Sequence, residues 1–248
     1  MKTHLKIILP VLLLSLMALS CKRETLPFGP GVAALNIINV ASGTSSMIAN
    51  INGQLPVYAG QPSVDYGSFA LYRVPPGPTS ITFRQVSDTT TNWLRTAAMN
   101  LANYSIHSLF LAGTVSAPDT LLVTDHLLTF TGHGAADSAA GIRFVNLSTG
   151  SAPISINIQG KANGSEVSSL AYKGNSAFTA YPATSTISSY TFEFRDAASG
   201  TLLSSYTLFG VNNGSNGIAA INSVLFKNMT LVFSGPPGSQ SVILANNF

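Results

Sequence analysis

Apolar and polar residues alternate in short runs along most of the chain, which is the period-two pattern of half-buried β-strands. In the segment SYTFEFRD, Tyr190, Phe192 and Phe194 fall on one face and the residues between them are polar. The segments at 81–84 and 154–158 alternate in the same way. Clusters of Gly, Pro, Asn and Ser separate these runs, and no segment has a convincing helical period. The pattern predicts an all-β protein built from antiparallel sandwiches.

The chain also repeats one order of features. The segment LNIINVASGTSSMIANINGQ, from Leu35, aligns with IRFVNLSTGSAPISINIQGK, from Ile142. Each copy then has a proline-containing turn, a strand that ends in Phe-Arg, and a strand that ends at Gly113 or Gly235. The offset between copies grows from 107 residues at the first strand to 122 at the late glycine. Insertions in loops of the second copy explain this growth, because loops tolerate them at low cost.

The repeat predicts two tandem antiparallel β-sandwich domains, Ig-like or transthyretin-like, at residues 32–129 and 141–248. We refer to them as the first and the second repeat. Each has the usual size of a domain. The Gly/Ala-rich segment 130–140 between them is predicted to be a connector.

The N-terminal segment, residues 1–20, has the pattern of a signal peptide. Lys2 and Lys6 precede an apolar run that is short for a membrane span. The run ends in Ala18-Leu19-Ser20-Cys21, which resembles a bacterial lipobox. This resemblance implies that Cys21 carries fatty acyl chains such as palmitate and becomes the mature N-terminus. The alternative is an ordinary signal peptide followed by an incidental free thiol.

Lipidation would make the membrane a partner of the protein through its anchor. Residues 21–31 contain two prolines and two glycines, and we expect them to form a tether. Lys22-Arg23-Glu24 follows the cysteine without the Asp that indicates retention in the inner membrane. We therefore expect an outer-membrane lipoprotein of the bacterial cell envelope. Whether it faces the periplasm or the cell surface stays open.

Several motifs together resemble a known family. They are the lipobox, a first strand of the type Leu/Ile-x-x-x-Asn (Leu35–Asn39, Ile142–Asn146), a second strand that leads to an Asn-Gly turn, and a later strand of the type PxG…ITF. This combination is similar to the bacterial domain-of-unknown-function family 4397 (DUF4397), common as lipoproteins in Bacteroidetes. The resemblance extends over nearly all of residues 32–248. It implies an architecture and a location, and the family has no established activity.

Composition excludes several classes of function. Only 8% of the 248 residues are charged, and the formal net charge is +3, or +1 once Lys2 and Lys6 are removed with the leader. Nucleic-acid binding requires clustered positive charge, so we expect no nucleic-acid partner. The single cysteine excludes an internal disulfide and a Cys-based metal site.

The sequence predicts no catalytic residues, no metal site and no cofactor. It contains no G-x-S-x-G motif, and its acidic residues are scattered rather than paired. Asp125, His126, His133 and Asp137 have suitable side chains for zinc, but their spacing fits no metal-binding loop. We expect them to belong to a solvated connector. His107 is predicted to be exposed or to lie at a sheet edge.

Binding is the function that we expect, with an envelope protein or a glycan as the partner. Trp93, the only tryptophan, is a possible aromatic platform for a sugar, and Arg84 and Arg195 occupy equivalent strand ends. The alternative for these residues is structural: Trp93 covers the sheet and the arginines are solvated. We predict a non-enzymatic interaction or spacer module, with a carbohydrate-binding lipoprotein of a glycan-uptake system as the alternative. The ligand and the oligomeric state stay open.

Overall fold

The alternating segments of the sequence form strands. A computed structural model describes residues 31–53, 63–130, 138–212 and 223–247, and within these ranges there are seventeen strands and no helix. Each segment singled out by its alternation is a strand whose apolar face is buried or partly buried. The predicted all-β class is confirmed. The same ranges contain no helix that could cross a membrane.

Nine of the described strands belong to the first repeat and eight to the second. The first repeat contains β1 (Ala33–Asn39), β2 (Met47–Ile51), β3 (Phe69–Val74), β4 (Gly77–Thr79), β5 (Ile81–Gln85), β6 (Leu94–Arg95), β7 (Met99–Leu101), β8 (Ile106–Gly113) and β9 (Pro118–Thr124). The second part contains β10 (Ala139–Leu147), β11 (Ile154–Ile158), β12 (Val167–Leu170), β13 (Thr179–Pro182), β14 (Ser189–Asp196), β15 (Leu202–Phe209), β16 (Asn228–Ser234) and β17 (Ser241–Asn247).

One four-stranded sheet of each repeat has its strands in an equivalent order. The order is β3-β1-β8-β9 in the first repeat and β13-β10-β16-β17 in the second. In both sheets the two central strands are parallel, whereas every other pair is antiparallel. Both sheets are therefore mixed rather than purely antiparallel, because the chain crosses to the opposite layer between the two central strands and returns in the same direction.

The opposite layer differs between the two sandwiches. In the second repeat it is a four-stranded sheet of order β12-β11-β14-β15. In the first repeat it is divided into a three-stranded sheet, β2-β5-β6, and a two-stranded one, β4-β7. The layers enclose two apolar cores, one in each repeat. The second core is the more aromatic: Phe194 stacks on Phe233, with ring centroids 5.5 Å apart.

A third apolar layer joins the two repeats. The outer faces of the sheets β3-β1-β8-β9 and β13-β10-β16-β17 contribute equivalent positions to it, namely Ile38 and Val145, Val40 and Leu147, Phe110 and Val232, and Val123 and Ala245. The described residues from Val32 onward therefore belong to one compact unit. The division at 32–129, 130–140 and 141–248 stays a prediction. β10 begins at Ala139, inside the segment predicted to be a connector.

The repeated asparagines have the same contacts in both repeats. The side-chain amide of Asn39 donates to the backbone carbonyl of Val64 (3.2 Å), and that of Asn146 donates to the carbonyl of Leu170 (3.0 Å). Each Oδ1 also accepts a hydrogen bond from the backbone N–H two residues later. Both side chains are fully buried. They hold the end of the first strand against a loop, which explains why the motif recurs.

The repeated glycines have a conformational reason. Gly113 and Gly235 have φ of +77° and +93°, a region that L residues with a Cβ avoid. An added Cβ would also overlap the carbonyl oxygen of Ala117 or of Ser239. Only glycine fits where these two strands turn into the next strand.

We predict that Gly235→Ala destabilises the protein more than Gly238→Ala does. Gly238 has a similar φ of +84°, but an added Cβ there has no atom within 4 Å. The control variant should cost only the backbone strain of about 1–2 kcal/mol. Gly235→Ala should cost about 1–3 kcal/mol more, because a packed backbone must move. Urea unfolding of both variants measures the difference, and equal losses would contradict this account of the turn.

Candidate functional site

Some residues predicted to be functional lie outside the described part of the chain. These are Cys21, the predicted lipidation site, and two of the four residues considered as zinc ligands, His133 and Asp137. The other two are described: His126 is exposed and Asp125 is buried. No group of three or more His, Cys, Asp or Glu side chains in the four described ranges is placed to hold a metal ion.

Trp93 is partly buried against the core of the first repeat. Its indole Nε1–H donates to the backbone carbonyl of Val115, at 3.0 Å. The indole has no other donor, so none is left for a ligand. Trp93 links the loop before β6 to the turn after β8.

Arg84 and Arg195 have equivalent structural contacts. The Nη1 group of Arg84 donates to the carbonyl of Thr89 (3.0 Å), and that of Arg195 donates to the carbonyl of Gly200 (2.9 Å). Both acceptors lie five residues after the arginine. Each guanidinium therefore closes the turn that follows its own strand. Arg195 also forms an ion pair with Glu193, at 2.8 Å.

His107 is buried, so the prediction of an exposed or edge histidine is wrong. Its side chain is 4% exposed, and its ring nitrogens lie 2.7 Å from the Ser105 hydroxyl and 3.3 Å from that of Thr124. The reason is topological: β8 is an inner strand, with β1 on one side and β9 on the other. Burial lowers the pKa of His107, and the nearby carboxylate of Asp125 opposes this effect.

The prediction that Asp125 belongs to a solvated connector is also wrong, because Asp125 forms a buried ion pair with Arg143. The distance from Nη1 of Arg143 to Oδ1 of Asp125 is 2.6 Å, and both side chains are almost fully buried. Asp125 directly follows β9 of the first repeat, whereas Arg143 lies on β10 of the second. The ion pair therefore connects the repeats.

The other two nitrogens of the Arg143 guanidinium also donate hydrogen bonds inside the same interface. Nη2 donates to the hydroxyl of Ser108 (2.8 Å) and Nε donates to that of Thr230 (2.9 Å). The ring of Phe178 lies over the guanidinium, with its centroid 4.7 Å away. Burial lowers the pKa of Arg143 and Asp125 opposes this effect, but a guanidinium stays protonated in proteins. The charge is thus compensated and hydrogen-bonded on several sides.

Asn247 completes the polar cluster. Its amide nitrogen donates to Oδ2 of Asp125 (3.1 Å) and to the Ser108 hydroxyl (3.0 Å), and its Oδ1 accepts from Thr230 (2.6 Å). Asp125 and Asn247 are separated by 122 residues, and so are Ser108 and Thr230. The cluster therefore uses equivalent positions of both repeats. We call Ser108, Asp125, Arg143, Thr230 and Asn247 the interface cluster.

The interface cluster is suited to holding the repeats together rather than to catalysis. The Ser108 hydroxyl donates to Oδ2 of Asp125 at 2.7 Å, but Ser108 is completely buried and no substrate could reach it. Sequence reasoning missed the cluster because Arg143 stands alone in the apolar strand AAGIRFVNL. A single charge among buried positions is the signal that could have revealed it, since such charges are paired.

A second, exposed ion pair lies at the periphery of the same interface. Nζ of Lys173 is 2.6 Å from Oδ1 of Asp119, and the Tyr172 hydroxyl donates to Oδ2 of Asp119 at 2.9 Å. Partial burial raises the pKa of Asp119, but the hydrogen bonds from Lys173 and Tyr172 outweigh it, so the pKa lies below its ordinary value. The side chains of Lys173 and Asp119 are 39% and 36% exposed, so solvent screens this pair.

We predict that Arg143→Met lowers the free energy of unfolding by about 3–5 kcal/mol, because it leaves the Asp125 charge buried without a partner. Lys173→Met is the matched control, since it removes the exposed ion pair of the same interface and should cost less than about 1 kcal/mol. Urea unfolding followed by the fluorescence of Trp93 measures both. Equal losses for the two variants would show that burial does not distinguish the pairs.

We also predict that His107 makes stability fall as the pH decreases below about 6.5, the ordinary pKa of histidine. Because burial lowers the folded-state pKa, the unfolded chain binds a proton there before the folded one does. His107→Gln should therefore flatten the decline in the free energy of unfolding between about pH 7 and 5. His126→Gln, at an exposed histidine, is the control and should leave the slope unchanged; a slope that His107→Gln does not alter would refute the prediction.

The sequence comparisons place the chain in a family. Residues 33–157 match the family described as Domain of unknown function (DUF4397). The match begins with β1 and ends within β11, so it includes the first repeat and both members of the buried ion pair. The resemblance was expected over nearly all of residues 32–248, and its extension beyond residue 157 stays a prediction. No curated protein matches the chain. The chain belongs to the DUF4397 family.

Proposed function

We propose that the protein is an outer-membrane lipoprotein whose repeats form one rigid, non-enzymatic interaction or spacer module outside the cytoplasm. The observation that carries the proposal is the buried layer between the repeats, which combines an apolar core with the Arg143–Asp125 ion pair. Its partner is an envelope protein or a glycan that contacts loops and strand ends.

Rigidity follows from the composition of this layer. Interfaces between domains of one chain are usually polar, and relative motion is then the expected behaviour. Here the two sheets share buried aliphatic and aromatic side chains, and separating them would expose the charges of Arg143 and Asp125. The loops at both ends of the module therefore keep fixed relative positions, as a spacer or a two-part binding surface requires.

The anchor in this proposal is Cys21, with residues 21–31 as the tether. Each buried methylene of an acyl chain contributes about 0.8 kcal/mol, so several chains are needed for a stable anchor. A tether of eleven residues can extend over at most roughly 36–40 Å. The module would thus stay close to the lipid surface. The indole N–H of Trp93 already donates to Val115 and does not support a sugar-binding platform. We therefore propose the interaction module alone.

We predict that Cys21→Ser moves the protein from the membrane fraction to the soluble fraction of the cell envelope, because the acylated thiol is lost. Thr25→Ser, a change of similar size inside the tether, is the control and should stay in the membrane. Fractionation followed by detergent extraction measures the distribution. Retention of Cys21→Ser in the membrane would refute the anchor, and protease treatment of intact cells would decide which side the module faces.

A further inference from the structure

The interface between the repeats is filled on one side and open on the other. Asn36 stands at the position equivalent to Arg143, 107 residues earlier, and Leu71 stands at the position equivalent to Phe178 by the same offset. Asn36 and Leu71 pair across β1 and β3. Arg143 and Phe178, with their long side chains, fill the corresponding space in the second repeat.

The smaller residues leave a cavity of about 430 Å³ between the repeats. Its lining includes Asn36, Phe69, Leu71, Lys227, Asn246 and Asn247. A volume in this range is typical of sites for small molecules. Asn36 also forms fewer hydrogen bonds than Arg143 does on the filled side. It donates one, to the carbonyl of Asn246 at 3.0 Å, and its buried Oδ1 has no partner.

One wall of the cavity is apolar and open to solvent. Phe69 and Leu71 lie on the same face of β3, an outer strand of its sheet, and are 37% and 49% exposed. Neighbouring exposed apolar side chains beside a cavity are typical of a binding site, because leaving them in water is unfavourable. This wall therefore suits the apolar part of a ligand.

The rim of the cavity is positively charged. Lys227 is exposed and forms none of the ion pairs within the described ranges. None of the described lining residues is acidic. The amides of Asn228 and Asn247 are occupied, by the backbone of Leu128 and by the interface cluster. The Lys227 ammonium is thus the charged group that a ligand would meet.

We propose that this cavity binds a small amphiphile with one anionic group, such as a medium-chain carboxylate. The apolar part contacts Phe69 and Leu71, and the anionic group lies at Lys227. The inference goes beyond the proposed function and does not depend on the lipid anchor, since every residue that carries it belongs to the described part of the chain.

Fluorescence titration of the full chain carrying Cys21→Ser with anilinonaphthalene sulfonate, an anionic apolar probe, tests the proposal. We expect one saturable site from which laurate displaces the probe and from which the neutral alcohol of the same length displaces it less well. Failure to saturate would overturn the proposal. So would displacement by glucose but not by laurate, or binding to anionic vesicles without binding to free laurate.

Each test variant replaces a cavity residue by the residue at the equivalent position of the opposite repeat. Leu71→Phe introduces the residue found at position 178 and should fill the cavity. We expect probe binding to weaken about tenfold or more, which corresponds to the loss of about 1.4 kcal/mol. Lys227→Ser introduces the residue of the equivalent position in the first repeat, Ser105, which lies 122 residues earlier. It should weaken probe binding about threefold, and more at low salt. Lys161→Ser, at an exposed lysine elsewhere in the second repeat, is the control and should have no effect.

Folding of each variant is checked by its urea unfolding curve, since the probe also binds partly unfolded chains. If Leu71→Phe does not fold, Phe69→Ala is the second test of the apolar wall and should weaken binding at unchanged stoichiometry. Unaltered binding in a folded Lys227→Ser would overturn the assignment of the anionic group. Unaltered binding in both wall variants would overturn the cavity itself.

Discussion

A guanidinium and a carboxylate that come from different repeats compensate each other in a dry interior only while the repeats stay together, because separation breaks the ion pair and exposes both charges. Arg143 and Asp125 are in this position, and the aliphatic layer around them excludes water. The other features of the protein depend on this arrangement. It joins the two sandwiches into one compact body and fixes the orientation of their loops. The cavity lies at the edge of the same interface.

The two repeats use the same face against each other. Equivalent positions of both contribute Ile38 and Val145 to the apolar layer, and Ser108 and Thr230 to the polar cluster. Symmetric homodimers have interfaces of this self-complementary kind. Here both partners belong to one chain, so the two halves of the interface can differ. The difference between Arg143 and Asn36 makes one side a packed cluster and the other a cavity.

Local patterns in the sequence predict most of the fold. Alternation identifies strands such as β5 and β14, and the repeated Asn39 and Asn146 indicate equivalent strand ends. The parallel pairs β1/β8 and β10/β16 are not predictable in this way, because their partners lie far apart in the chain. For the same reason Asp125 and His107 look exposed in the sequence: their burial depends on the opposite repeat and on neighbouring strands. Of the candidate site, only Arg143 carries a local signal.

The parallel central pairs have a consequence for how the chain acquires its structure. A first strand such as β1 has one hydrogen-bonded neighbour, β3, in the part of the chain that soon follows it. Its second neighbour, β8, comes only after all strands of the opposite layer. Long-range pairing of this kind slows folding. While the chain is being synthesised, one apolar edge of the first strand thus stays unpaired until most of its sandwich exists, and an open edge of this kind can pair with other chains.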